Sequence, residues 1–537
     1  MLKHGTVYDG GGAQPIVTDV AIERDTIAAI GDMPDGRAGQ ILDCSGLVVT
    51  PGFIDIHAHS DITLLHNHKA ESKIRQGVTT ECTGQCGLGV FPVRPENRDA
   101  LRNACSFIAS APVEWTWGST AEYIAALRKA GPSLNVAPMV AQGPIRADVV
   151  GLEATPATPQ QTEQMCRVLR ECFDEGAVGL SFGLAYAPGA VADAAEVEAL
   201  CRVAAANNKH VSVHIRNEGP TLIKSLDEII GIAHRMMETG LLLRLQIDHF
   251  KCSGPRNWHL ADRAIEVVEQ AKDEGLDIAF DIYPYDVASR HLTGSFPAWM
   301  HSGGNEMLLQ RLADPEIREQ FRREMAAYDA GETDHHPLEF TPDRIRIVDL
   351  NSQENQDVIG KFLSDVIAER GYDPIDVVCD LIIEERGHLN VALYTMNEED
   401  VEKRLRHPLS MIGSDGFALA TYGELSRGRP HPRSYGTFPR FLGQYVRDRG
   451  IMDMATAVNK CTARSASRLN ISDRGLLKCG YKADVTVFDP HRIIDRATFE
   501  NPHQYPDGIE HVIVNGELTV SGGEHTGAAA GLVLENN

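Results

Sequence analysis

Seven short apolar runs recur through the middle of the chain: "GVTTECTGQC", "NVAPMVAQGPI", "AVGLSFGLAY", "HVSVHIRNEG", "LLLRLQIDHFK", "LDIAFDIYPY" and "LSMIGSDG". Between several of them lie amphipathic stretches such as "TPQQTEQMCRVLRECFDEG" and "ADRAIEVVEQAKDEG", the second closed by glycine as a helix C-terminus often is. Strand, helix and strand in regular alternation specify parallel βα units. With "LVVTPGFIDI" at 47–56 the strands number eight, the count of a closed barrel. The expected class is therefore α/β, a (β/α)8 TIM-like barrel.

One connection breaks the rhythm. About 120 residues, from 286 to 408, separate the last two runs, far beyond an ordinary βα loop. Within it "HHPLEFTPDRIRIVDL" and "PIDVVCDLIIEERG" read as structured. Because this large insertion between strands 7 and 8 follows the C-terminal end of a strand, it is expected over the barrel mouth, with 286–345 as a lid. The two ends of the chain share a different texture, short alternating segments such as "VTDVAIERDTIAAIG" and "IEHVIVNGELTVSGGEHTG". They predict a small β-domain built from 1–50 and 470–537 around a barrel of 51–469.

The formal charge of −24 leaves no basic surplus to neutralise phosphates, so nucleic acid is not an expected partner. No run approaches the roughly 18 apolar residues of a spanning helix, and "MLKHGTVYDGGG" lacks the apolar core of a secretory signal. Eleven scattered cysteines show no framework spacing. A cytoplasmic protein with no membrane partner is expected, and a homo-oligomer is left open.

The ends of the runs carry the chemistry. Residues i and i+2 of a strand point to one face, so His57 and His59 in "GFIDIHAHSD" would project together, a half-site for a divalent metal. In a parallel barrel all strands deliver their C-terminal ends to one face. Cys86 then comes from strand 2, His214 from strand 5, His249 from strand 6 and Asp415 from strand 8. One histidine after a strand is usually a rim or core residue; six coordinating groups at such ends predict a metal site.

These segments resemble the amidohydrolase superfamily and, within it, the D-aminoacylases or N-acyl-D-amino-acid deacylases. The resemblance rests on "TPGFIDIHAHSD", "GVTT" followed by "GQCG", "SVHIRNEG", "DIYPY", "GSDG", "HPRSYGTFPR" and "GLLKCGYKADVTVFDP", and it covers nearly the whole chain. It implies a distorted barrel with a β-sandwich from both termini. Many binuclear relatives bridge their metals with a carboxylated lysine on strand 4, which "AVGLSFGLAYAPG" does not offer; the resemblance implies Cys86 as the substitute. By the same analogy Cys86, His214 and His249 hold a tight Zn2+, while His57, His59 and Asp415 line a second, weaker site. The implied reaction is zinc-dependent hydrolysis of N-acyl-D-amino acids by a metal-activated hydroxide, with Asp415 as general acid and base. Cys86 as an acyl-forming nucleophile is the lesser alternative.

For the substrate, an α-carboxylate calls for a cation near the metal. Lys251 and Arg433 are the candidates, and the resemblance points to the same two and implies Tyr283 and Tyr186 shaping the pocket, with Ser289 as a substrate-contacting serine. Where many relatives read "YPYTAGST" this chain has "YPYDVASRHL". Arg290 could therefore meet an acidic side chain, or pair with Asp286 and leave a pocket for apolar ones. The competing readings are a cyclic-amide hydrolase of the dihydroorotase or hydantoinase kind, an isoaspartyl-type dipeptidase and a non-catalytic binding protein.

Overall fold

The apolar run expected as one strand over 47–56 is split between two sheets at Gly52. Val48–Pro51 joins the sheet of the termini, and Phe53–Asp55 opens the barrel. The break is steric: a Cβ at Gly52 would come within 2.1 Å of the Thr79 side chain on the next strand. Gly52 N instead donates to Asp484 O at 2.8 Å, and Phe53 N turns to Gly77 O at 3.0 Å. The computed structural model describes residues 1–105, 107–108, 111–333, 338 and 341–535.

Eight parallel strands form the barrel in chain order. They are β1 (Phe53–Asp55), β2 (Val78–Thr83), β3 (Asn135–Pro138 with Val140–Ala141), β4 (Gly179–Gly183), β5 (His210–His214), β6 (Arg244–Ile247), β7 (Asp277–Ile282) and β8 (Ser410–Ile412). The ring consists of two arcs. The first half of β3 pairs with β2 and its second half with β4, the ladder stepping over Met139. Between β8 and β1 the ring closes through a single parallel bridge, Ala58 to Gly416.

Helices follow the strands because their sequences carry both a start signal and one apolar face. Pro159–Asp174 opens on a capping box in which Thr158 Oγ1 accepts from Gln161 N at 3.3 Å and Gln161 Oε1 accepts from Thr158 N at 2.9 Å. It buries Met165, Leu169 and Phe173 at helical spacing, each worth about 1.5–3 kcal/mol of transfer free energy.

Strands from both ends of the chain share one nine-stranded sheet, with Val48–Pro51 antiparallel to Val485–Phe488 and parallel to Leu2–Val7. The pairing through it is continuous, and strands from both ends contribute to one apolar cluster that includes Val20, Ile27, Val485 and Ile513. The chain then leaves this sheet: Val136 N donates to Leu532 O, and Leu534 N to Val136 O, on the barrel.

The insertion has its own apolar core, around Phe296, Leu312, Ile347, Val378 and Leu389. Its antiparallel sheet runs Ala288–His291, Leu389–Leu393, Ile345–Leu350. Because the outer strands both pair with 389–393, the unit continues past the expected lid boundary of 345; residues 334–337 and 339–340 of that stretch lie outside the described residues. Among the described residues no helix is long and apolar enough to cross a membrane.

Candidate active site

Beyond the ends of β1, β2, β6 and β8 four ligand-type side chains converge. Atoms of His57, Cys86, His249 and Asp415 lie within 4.8 Å of one another, all buried. Cys86 Sγ is 3.3 Å from both His57 Nε2 and His249 Nε2. Asp415 Oδ1 is 3.0 Å from His59 Nε2 and 3.6 Å from His57 Nε2. His214 packs edge-on to His249 with ring centroids 4.4 Å apart, but it groups with Glu218 and His249 rather than with Cys86. The compact set about the thiol is thus His57, His249 and Asp415, whereas the resemblance placed His214 there.

The backbone is bent to bring these groups together. Cys86, His249 and Asp415 have φ of +56°, +32° and +50°, a region that residues with a Cβ seldom enter and that clusters at functional sites. Opposite Cys86, β4 ends in Gly183, where a Cβ would lie 2.0 Å from Cys86 O. No side chain can project from that point of β4, which is the physical counterpart of the missing strand-4 lysine.

Electrostatics sort the donors. Burial pushes the Cys86 thiol up to about 12, although neighbouring His57 pulls the other way. Burial also holds His214 and His249 well below the usual imidazole range, leaving them neutral as ligation requires. His57 is opposite: burial disfavours its charge, yet Asp281, Cys86 and Asp248 raise it well above 6.5. Burial likewise works against the Asp415 carboxylate, and Arg433, His249 and His59 override it and hold Asp415 well below the ordinary range. The donor set fits a divalent metal. It combines a thiol, the neutral imidazoles of His214 and His249 and an ionised carboxylate, and Nδ1 of both His59 and His214 is buried with no hydrogen-bond partner.

Three residues of this shell lie within the quoted segments "DIYPY", "LLLRLQIDHFK" and "SVHIRNEG" but were not among the expected site residues. Asp281, inside β7, accepts from Gln246 Nε2 at 2.6 Å and His249 N at 2.9 Å and stands 3.2 Å from His57 Nδ1. Asp248 lies 3.7 Å from the same nitrogen. Glu218 Oε1 is 3.1 Å from His249 Nδ1 and 2.6 Å from Lys251 Nζ. An acid in the middle of an apolar strand, as in "DIAFDIYPY", was the available sign for Asp281.

A pocket opens above the cluster. His59, Cys86, His214, His249 and Asp415 form its floor, and Lys251, Tyr186, Tyr283, Ser289 and Arg290 stand in its walls. The insertion supplies Phe296, His301 and Leu308, and Leu88 and Phe107 add apolar surface. Arg290 donates to Ser295 Oγ at 3.1 Å, while Asp286 is exposed. His57, expected as a metal ligand, is wholly buried in the cluster beneath the floor, whereas Arg433, expected in the pocket, lies behind Asp415, lining an adjacent cavity and donating to Asp415 Oδ2 at 2.6 Å.

Known proteins with the same organisation exist. A family described as "Amidohydrolase family" matches residues 40–520. An N-acyl-D-glutamate deacylase of Alcaligenes xylosoxydans xylosoxydans is 33% identical over 516 residues, 96% of this chain and 92% of that protein. A D-aminoacylase of the same organism is 33% identical over 538 residues, 99% of this chain and 97% of its own. The crystal structure of N-acyl-D-glutamate deacylase from Bordetella bronchiseptica, complexed with zinc and a phosphonate inhibitor that mimics the tetrahedral intermediate, matches with a TM-score of 0.82 and 31% identity, over 100% of this chain and 99% of that one.

Proposed function

The chain belongs to the amidohydrolase family, in its N-acyl-D-amino-acid deacylase branch, and from that premise we propose that it hydrolyses N-acyl-D-amino acids to a carboxylate and a free D-amino acid, with zinc as its metal. The observation that carries the reading is the buried cluster of Cys86, His249 and Asp415, with His57 beneath them, under a pocket walled by Lys251, Tyr283 and Ser289. Those four residues would hold the ion, with His214 and His59 beside them. Once bound there, a divalent ion supplies Lewis acidity toward an amide carbonyl and toward water.

The remaining steps fall to the protein's own groups. Asp415, ionised and facing the pocket, takes the proton of the attacking water and gives it to the amide nitrogen as the C–N bond breaks. Lys251 Nζ stands 2.8 Å from His249 Nδ1 and donates to Glu218 Oε1 at 2.6 Å, so the two residues together hold the His249 ring with Nε2 facing Cys86. Lys251 and the Tyr283 hydroxyl present a charge and a donor to the α-carboxylate. Lys251 is already paired with Glu218, so the substrate shares that ammonium rather than meeting an unpaired one. The insertion, through Phe296, His301 and Leu308, walls the pocket and narrows its access to water, and the sheet of the termini forms a separate β-domain. The apolar walls suit apolar side chains, and Arg290 gives acidic ones a partner.

A matched panel of N-acetyl-D- and L-amino acids with zinc-loaded protein tests the reading. Turnover restricted to D-substrates is expected. Silence across the panel with zinc bound would sink it.

A further inference from the structure

Asp415 sits at the seam where the barrel closes, and that seam is thin. Besides the one bridge, Asp415 N donates to His57 O at 2.8 Å and His59 N to Gly416 O at 2.9 Å. With φ at +50° the residue occupies the left-handed region, which residues with a Cβ seldom enter, and the contacts around it bear on its place.

Beneath the seam lies a charged cluster that the reaction as derived above does not use. Lys73, wholly buried in the short helix Glu71–Ile74, donates to Asp55 Oδ2 at 2.7 Å and to Ser414 Oγ at 2.5 Å, with Glu81 at 3.7 Å. The other oxygen of Asp55 accepts from Ser414 N at 2.8 Å and from His57 N at 3.3 Å. Ser414 Oγ also accepts from Gly416 N at 3.0 Å and donates to His57 O at 3.4 Å. The ammonium therefore grips the residue two before His57 and the residue one before Asp415. Well-packed apolar side chains would often be at least as stable as a buried ion pair, so stability alone gives weak reason for this one.

We propose that Lys73 is a positioning residue: through Asp55 and Ser414 it locks β1 to the turn after β8 and so fixes Asp415 against His57 and His59. The kinetic consequence rests on the deacylase reading; the geometric one does not.

Lys73→Met alone would leave the Asp55 carboxylate buried without its cation, so it is combined with Asp55→Asn, which retains an oxygen for Ser414 N and His57 N. Ser414→Ala removes the hydroxyl's contacts with Lys73, His57 O and Gly416 N while leaving the Lys73–Asp55 pair and the Ser414 N to Asp55 bond intact. In both variants kcat is expected to fall about 30- to 100-fold with KM within about three-fold, as for a displaced catalytic group. Rates are taken per zinc-loaded enzyme, because Asp415 is itself among the residues that would hold the ion, and crystal structures of the variants should show the Asp415 carboxylate moved away from His59. A role in stability alone would lower the melting temperature and leave kcat of the folded enzyme intact. Unchanged kcat, or an unmoved Asp415, overturns the proposal. If the wild type turns over no N-acyl-D-amino acid, the deacylase reading has failed and the position of Asp415 in the variants decides this one alone.

Discussion

Arg433 Nη1 meets Asp415 Oδ2 at 2.6 Å, which puts the guanidinium behind the carboxylate instead of in the pocket. Only 1% of Arg433 and 6% of Asp415 is exposed, so the pair interacts with little screening by solvent. Its first effect is to keep Asp415 ionised as a base.

Replacing Arg433 with Met removes the charge that opposes protonation of Asp415. The carboxyl then titrates at higher pH, the base is lost below that pH, and the acid limb of the kcat/KM profile should move upward. Asp415→Asn should instead lower kcat about 10²- to 10⁴-fold at every pH, the usual scale of acid–base catalysis. A rise in KM with no change in the profile of Arg433→Met would mean that the arginine clamps the substrate carboxylate, as its place in "HPRSYGTFPR" suggested.

Cys86 can be separated into ligand and nucleophile. As a ligand its loss weakens metal binding, and Cys86→Ser should bind zinc at least about 10-fold more weakly, the low end of what even supporting residues of metal sites contribute. Excess metal should then restore much of the turnover. Metal titration by calorimetry alongside steady-state rates checks this; a fully metallated but inactive variant would favour the nucleophile.

Asp281 is expected to tune the cluster through His57. Asp281→Asn keeps an acceptor for His249 N or Gln246 Nε2 but removes the charge beside His57 Nδ1. Metal affinity or activity should fall about 10- to 100-fold, and competition with a chelator would measure it.

The parts of the site that strand ends carry were legible in the sequence, because period-2 alternation and parallel topology send His57, His59, Cys86, His214, His249 and Asp415 to one face. What could not be read were relations fixed only by three-dimensional closure. Asp281 looks like any acid in a strand until the barrel brings it to His57. Arg433 looked like a free cation because its partner is set by the turn after β8. The run at 47–56 reads as one strand although Pro51 and Gly52 interrupt it, and its division between two sheets falls at Gly52, where a Cβ would crowd Thr79. The resemblance supplied ligand roles but not the spacing that groups His214 with Glu218.

The sheet of the termini gives a pH test away from the metal. Asp19 accepts from Lys3 Nζ at 2.8 Å, and from His4 N and Met33 N, both at 3.0 Å. Burial alone would raise the Asp19 carboxyl, but these donors overcome it and bring it down to about 2. The folded state therefore holds the carboxylate more tightly than the unfolded chain, where it titrates near about 3.9. That stabilisation is fully present above the unfolded value and is lost as pH falls through about 2. Asp19→Asn should melt at a lower temperature at neutral pH, and the gap to wild type should narrow between about pH 4 and pH 2 as the wild type forfeits the interaction. Melting curves across that range decide it: a gap that stays constant with pH would show that the ionised form of Asp19 contributes nothing to holding Leu2–Val7 against Ile16–Glu23.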